Sequence, residues 1–471
     1  MYDFDKPINR QGTHCVKWDM APHSAPEGAT TLNSKLSTLN SQMIPLWVAD
    51  MDFEAAPAIR EALKKRVEHG VFGYAIVQDS YYDAVINWYE RRHQWHIERE
   101  WIQYTTGVVP AISAVIKALT MPGERVLIMT PVYNCFFSSI RNNGCEVLES
   151  KLVPVNCAPT QEAASPTLTY EVDWDDFERK CADEKCTVFL LCNPHNPAGR
   201  VWTREELQRM NDICQRHHVR IISDEIHCEL TMPGYEFVPF GRVSTPLPLR
   251  EATGATGVFR AATGVAAAPP RGANPSFATE DFRAATGVAA APQRGANPSF
   301  ATEEQGGGSS PVICCSPSKS FNTAGLQMAN IICADAETRR RIDRAININE
   351  ICDVNPFAPL AVEAAYNESE DWIDELNQYL WGNYQALLAF FAEQLPQLKV
   401  FKLEGTYLVW VDITALRVSA DEIEEKLLRE ARVWVNSGTM YGTDGYIRIN
   451  IATQRARLME GLKRMAAFLA P

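Results

Sequence analysis

The chain has 471 residues, 46% of them hydrophobic and 22% charged, the balance of ordinary globular material with room for more than one domain. A formal net charge of −13 sets it against nucleic acid and anionic membranes, both of which would repel it, and leaves small molecules or proteins as partners. Thirteen cysteines without metal-ligand spacing suit a reducing compartment, no stretch reaches the roughly 20 apolar residues of a bilayer span, and MYDFDKPINRQGTHCVKWDM lacks the order of a signal peptide, so a cytoplasmic location is expected.

In chain order, His93 and His96 of RRHQWHIERE stand one helical turn apart with no evident third metal ligand, so surface placement is expected. In YTTGVVPAI, Thr106, Gly107, Val108 and Val109 open the helical run PAISAVIKALT, and backbone N–H groups there can hold a phosphate at the helix's positive end. The apolar runs RVLIMTP, CTVFLLCNP, VRIISDE and VICCSPS read as short buried strands that end in Pro, Asp or Ser. Cys314 and Cys315 fall on the last of them as small buried apolar residues. Helical patterns lie between, among them TREELQRMNDICQRHH, where Thr203 and Glu206 have capping-box spacing, and AETRRRIDRAI. This alternation predicts an α/β fold with a mainly parallel sheet, whose ligands gather at the strands' carboxyl ends.

One segment stands apart. Phe259 to Asp281 is repeated as Phe282 to Glu304 with differences only at Pro270/Gln293 and Asp281/Glu304. Each copy is rich in Ala, Gly, Pro and Thr, with too few large apolar residues to offset chain entropy. Residues 244–310 are therefore expected to form a flexible insertion, with a binding tail as the alternative. Around it we expect an N-terminal arm at 1–46 that joins the small domain, a large domain at 47–344, and a small α+β domain at 345–471.

The strand ends carry a constellation. Asn193 follows a strand in LLCNPHNPAGR, Asp224 follows VRIIS with His227 three residues on, and Lys319 sits among Ser316, Ser318 and Ser320 in CCSPSKSFNTAGLQ. An Asp-Glu-x-His cluster can also suggest a metal, but adjacent residues on a strand point to opposite faces. A single ligand that uses all of these groups is pyridoxal 5'-phosphate: a lysine forms a Schiff base, hydroxyls and a helix start bind phosphate, and a carboxylate keeps the pyridine nitrogen protonated.

The segments IPLWVADMDF, FGYAIVQDSYYDAVINWYERRHQW, TTGVVPAI, PVYNCFF, NPHNPAGRVW, SDEIHCEL, SPSKSFNTAGLQ and YIRINIATQRARLMEGLKRM resemble those of fold type I pyridoxal-phosphate enzymes. More narrowly, they resemble the MalY/PatB group of cystathionine β-lyases, or cysteine-S-conjugate β-lyases, over nearly everything except residues 244–310. The resemblance implies that Lys319 is the Schiff-base lysine and Asp224 the partner of the pyridine nitrogen. It implies that Asn193 bonds the ring's phenolic oxygen with His227 nearby, and that Tyr133 stacks on the ring. Gly107, Val108, Val109, Ser316 and Ser318 would hold the phosphate. Tyr74 would reach the phosphate of a neighbouring subunit, which implies a homodimer, and Arg448 would clamp the carboxylate of a sulfur-containing amino acid. Gln327, eight residues after the lysine, stands where many transaminases carry Arg, and so favours elimination to a thiol, pyruvate and ammonia. An aminotransferase shares every one of these cofactor residues and is the alternative; a regulatory protein-binding role is the alternative from another class.

Overall fold

The structure, a computed structural model, describes residues 2–20, 43–157, 167–244, 310–348 and 353–469. The tandem repeat and the expected insertion, its end residues apart, lie outside the described residues. Residues 1–245 and 309–471 form one compact unit.

Its centre is a seven-stranded sheet of β1 (Ile102–Thr105), β2 (Arg125–Thr130), β3 (Glu146–Lys151), β4 (Cys186–Cys192), β5 (Arg220–Asp224), β6 (Val312–Cys315) and β7 (Ala329–Ile332), in the order β1-β7-β6-β5-β4-β2-β3. All neighbours run parallel except β7, which is antiparallel to both β1 and β6. Because side chains alternate along a strand, Val126, Ile128, Val188, Leu190 and Ile222 pack on one face with the helix Val108–Leu119. Leu127, Met129, Phe189, Leu191 and Ile221 pack on the other face, in the larger core. Both faces are covered, which is why the strands read as unbroken apolar runs. Cys314 and Cys315 are fully buried, one on each face.

The register pairs Cys192 with Asp224 and Asp224 with Cys314, so the residues that follow β4, β5 and β6 emerge together at one edge. Thr203 begins the helix Arg204–Arg216 with the expected capping box: its Oγ accepts from Glu206 N at 3.1 Å and its N–H donates to Glu206 Oε2 at 2.9 Å.

The C-terminal part builds a four-stranded antiparallel sheet, in the order Lys399–Val400, Leu408–Asp412, Tyr446–Asn450, Asn436–Ser437. Ile44–Pro45 pairs in parallel with Val433–Trp434 in a separate two-stranded sheet, which ties the residues just before Trp47 to the chain that leads into the strand Asn436–Ser437.

His93 departs from the surface placement expected of it. It ends the helix Asp79–His93 at 8% exposure, with Nε2 2.7 Å from Glu229 Oε1, an oxygen that also accepts from Trp88 Nε1 at 2.7 Å. Arg92 Nε lies 3.7 Å from Glu229 Oε2, and against the cost of burial the contacts with His93, Trp88 and Arg92 hold this carboxylate down to about 2.

Candidate active site

Lys319 lies four residues beyond β6, in a turn that builds its own scaffold. Ser316 Oγ donates to Met328 O at 2.6 Å and accepts from Ser318 N at 3.1 Å, while Phe321 N donates to Pro317 O at 2.8 Å. The Ser316 proton is thus committed within the loop, and what Ser316 gives the site is the shape of that loop. Ser318 is half-buried.

The lysine amine donates to Ala49 O at 2.6 Å, an oxygen that also accepts from Tyr407 Oη at 3.0 Å. Burial lowers the Lys319 pKa; Asp50 opposes this most strongly, Arg448 adds to it, and Asp224 opposes it more weakly. Asp224 is 3% exposed at the end of β5, its Oδ1 accepting only from Ile226 N at 3.1 Å. Burial pushes its carboxyl up to about 7 despite that bond and the nearby lysine. His227 is equally buried; desolvation, with Lys319 and Arg448 adding to it, takes it down to about 3, and its Nδ1 has no partner.

Arg448 reaches the same place from the strand Tyr446–Asn450. It is 3% exposed, with Nη1 donating to Asn196 Oδ1 at 3.0 Å, Nη2 to Trp47 O at 2.9 Å, and Nε without a partner. Its guanidinium lies over the Tyr441 ring at 4.8 Å. Gly107 is the N-cap of the helix Val108–Leu119 and, having no side chain, caps none of its first N–H groups. Tyr133 precedes the helix Asn134–Asn142, half-buried; burial raises its pKa, with Cys135, Asp224 and Arg448 among the groups that act on it.

One expected residue does not join this group. Asn193 continues the alternation of β4 on the face of Leu191, opposite to Asp224; its Nδ2 donates to Val238 O at 3.1 Å and it lies beside the Glu225 carboxyl. The asparagine that enters the site is Asn196, three residues on, through its bond to Arg448. Tyr74, expected to serve a neighbouring subunit, is 88% exposed on this chain. Gln327 is exposed as well, with φ at +56°.

The sequence reading assigned no role to residues 47–51, yet they cross the site as a strap whose consecutive carbonyls take side-chain donors. Trp47 O accepts from Arg448 and from Asn436 Nδ2 at 3.0 Å, Val48 O from Asn450, Ala49 O from Lys319 and Tyr407, Asp50 O from Asn450 Nδ2 at 2.7 Å, and Met51 O from Asn322 Nδ2 at 3.0 Å. Asn322 also accepts from Met51 N at 3.0 Å and donates to Phe53 O at 2.9 Å, which fastens the strap to the lysine loop.

A buried arginine, a buried carboxyl, a lysine and a helix start with a glycine N-cap are thus gathered at one sheet edge. The family model for aminotransferase class I and II matches residues 41–249 and 285–465. The chain belongs to this family. Cystathionine beta-lyase PatB of Bacillus subtilis (strain 168) is 33% identical over 470 residues, covering 99% of this chain and 100% of the relative. Cystalysin from Treponema denticola, whose crystal structure contains a pyridoxal 5'-phosphate cofactor, matches with a TM-score of 0.76 at 29% identity, over 99% of this chain and 98% of that one. The PLP-bound C-S lyase from Staphylococcus hominis, complexed with the inhibitor L-cycloserine, gives a TM-score of 0.76 at 25% identity, over 100% and 98%.

Proposed function

We propose that this family member is a pyridoxal-phosphate-dependent carbon–sulfur β-lyase, which eliminates a thiol from L-cystathionine or a related cysteine S-conjugate and leaves pyruvate and ammonia. The observation that carries the reading is the buried, cation-poor carboxyl of Asp224 within the field of Lys319, in a chain that matches a named cystathionine β-lyase from end to end.

The residues fit the cofactor. Asp224 lacks the cationic partner that a buried carboxylate requires, and a protonated ring nitrogen would supply it. Among the described residues His227 Nδ1 and Arg448 Nε are buried without partners, and the helix that begins at Val108 has a glycine N-cap with no side chain to compete with a phosphate for the first N–H groups. Gly107, Ser318 and the loop braced by Ser316 would complete the phosphate cradle, with Tyr133 on the ring face. Asn196, rather than Asn193, would bond the ring's phenolic oxygen, because its Oδ1 is taken by Arg448 and its NH₂ is left to donate.

When bound, pyridoxal phosphate supplies an electron-accepting ring that takes up the electron pair left at the substrate's α-carbon. Arg448 binds the substrate carboxylate through its planar fork, and Asn196 fixes the rotation of that fork. Burial favours the neutral form of the Lys319 amine, the form that can take the α-proton. The ammonium so formed can hand a proton to the departing sulfur, and the cycle leaves Lys319 neutral again.

The homodimer belongs to the same proposal: Tyr74 would reach the phosphate bound by a partner subunit. Val71, Phe72, Tyr74 and Ile76 leave an exposed run of large apolar side chains, at 63%, 53%, 88% and 58%, that suits burial in an interface. Incubation with cystathionine and no 2-oxo acid is expected to release pyruvate and homocysteine in equal amounts. Transfer of the amino group to an added 2-oxo acid, with no pyruvate, would replace this reading with the aminotransferase one.

A further inference from the structure

The strap is gripped from its far side by the N-terminal residues. Arg10 Nη2 donates to Asp50 Oδ2 at 2.6 Å, while Nη1 donates to Asp52 Oδ1 and to Met51 O, both at 2.9 Å. Lys17 Nζ lies 3.1 Å from Asp52 Oδ2 and 3.6 Å from Asp50 Oδ1. Asp52 is fully buried and saturated, with Trp18 Nε1 at 2.9 Å and Arg457 Nη1 at 3.5 Å as further partners. Asp50 is placed differently. It pairs with Arg10 and Lys17, lies one residue from the carbonyl that holds the lysine amine, and among the charges acting on that amine it does most to favour the protonated form.

We infer that Arg10 is a positioning residue for Lys319 that acts through Asp50: one guanidinium fixes the strap that presents Ala49 O and tempers the negative field that the lysine amine meets. The inference rests on the reading of Lys319 as the cofactor-bearing lysine. The other charged or titratable groups facing that amine are Asp224 and His227 from the β5 end, Arg448 from the strand Tyr446–Asn450, Cys135 from the helix after β2, and Tyr407, which shares Ala49 O. Among the described residues none of these hydrogen-bonds or ion-pairs with residues 2–20, whereas Asp50 does, so Asp50 is the member of the set through which Arg10 can act.

Charge and scaffolding roles have different signatures. Only the neutral amine attacks an aldehyde, so capture of pyridoxal phosphate accelerates as pH rises through the lysine's titration. Removing the positive charge in Arg10→Gln strengthens the Asp50 field, keeps the amine protonated and moves the capture profile to higher pH. Asp50→Asn removes the negative charge and moves it to lower pH. A strap that has merely loosened shifts both variants in the same direction.

The experiment strips cofactor from the full-length protein, adds pyridoxal phosphate, and follows the rise of the visible band against pH, with a thermal melt of every variant. At a fixed pH on the rising limb, capture is expected to be roughly threefold slower in Arg10→Gln and roughly threefold faster in Asp50→Asn. Arg10→Lys, which keeps the charge, is expected to follow the parent. Shifts of one sign in both charge-removing variants, no shift in Asp50→Asn, or an Arg10→Lys profile displaced like that of Arg10→Gln would overturn the inference. If the parent itself captures no cofactor, the lysine reading fails instead.

Discussion

Burial pushes the Asp224 carboxyl up to about 7 and that of Glu225 up to about 8. In the folded, ligand-free chain both keep a proton that the unfolded chain releases near pH ~4. The folded state therefore binds more protons than the unfolded one, and this contribution to stability, complete below about pH 4, is lost as pH rises through about 7 and 8. The ligand-free protein is expected to melt at progressively lower temperature across that window. The loaded protein should lose the Asp224 part of the slope, since the cofactor offers that carboxylate a positive partner. Asp224→Asn should raise the ligand-free melting temperature near pH ~8 while cutting pyruvate formation by about a hundredfold or more; a lower melting temperature would refute the account of a strained carboxyl. Arg448→Lys, which keeps the charge but not the fork, should cost about 10- to 100-fold in kcat/KM, mostly as a raised KM, in steady-state assays. Asp224 is legible in the sequence as a carboxylate at the end of an apolar strand run and Lys319 as a lysine among serines, whereas Arg448 is singled out only by the family resemblance. The choice between Asn193 and Asn196 is not legible there. Both sit in Asn-Pro pairs, and only the parity of β4, which puts Asn193 with Glu225, separates them.

Among the elements, the lysine loop and the strap depend on each other through Asn322, which makes three hydrogen bonds to the backbone of Met51 and Phe53 from a backbone with φ at +56°. Asn322→Gly keeps that backbone conformation accessible and removes only the side-chain bonds. It is expected to cost about 1–3 kcal/mol in denaturant unfolding and to weaken cofactor retention, whereas Asn322→Ala adds the strain of a side chain in the left-handed region. The capping box of the helix Arg204–Arg216 could be read from Thr203 and Glu206 alone, because a cap is a local contract between residues three apart. The strap could not be read in this way. Its partners, Arg448, Asn450, Lys319 and Tyr407, lie hundreds of positions away, and they address main-chain oxygens that every residue type carries.

At the scale of the whole molecule, the sheet class followed from the alternation of short apolar runs with helices, but β7 did not. Its reversed direction is set by the short turn after the lysine loop, which returns the chain beside β6 and leaves no room for a crossover helix. Every residue of the candidate site lies in the unit formed by residues 1–245 and 309–471. A chain with residues 246–308 replaced by a short Gly-Ser linker is accordingly expected to keep its melting temperature and its cofactor uptake; loss of either would give that segment a part in the folded unit. Two donors converge on the oxygen of Ala49, and the partner they choose is a property of the polypeptide rather than of alanine. Evolution can therefore exchange the residue at 49 for any that fits the space without disturbing the amine's berth. A chemist who wished to weaken that berth would have to edit the main chain itself, for instance by joining residues 49 and 50 through an ester.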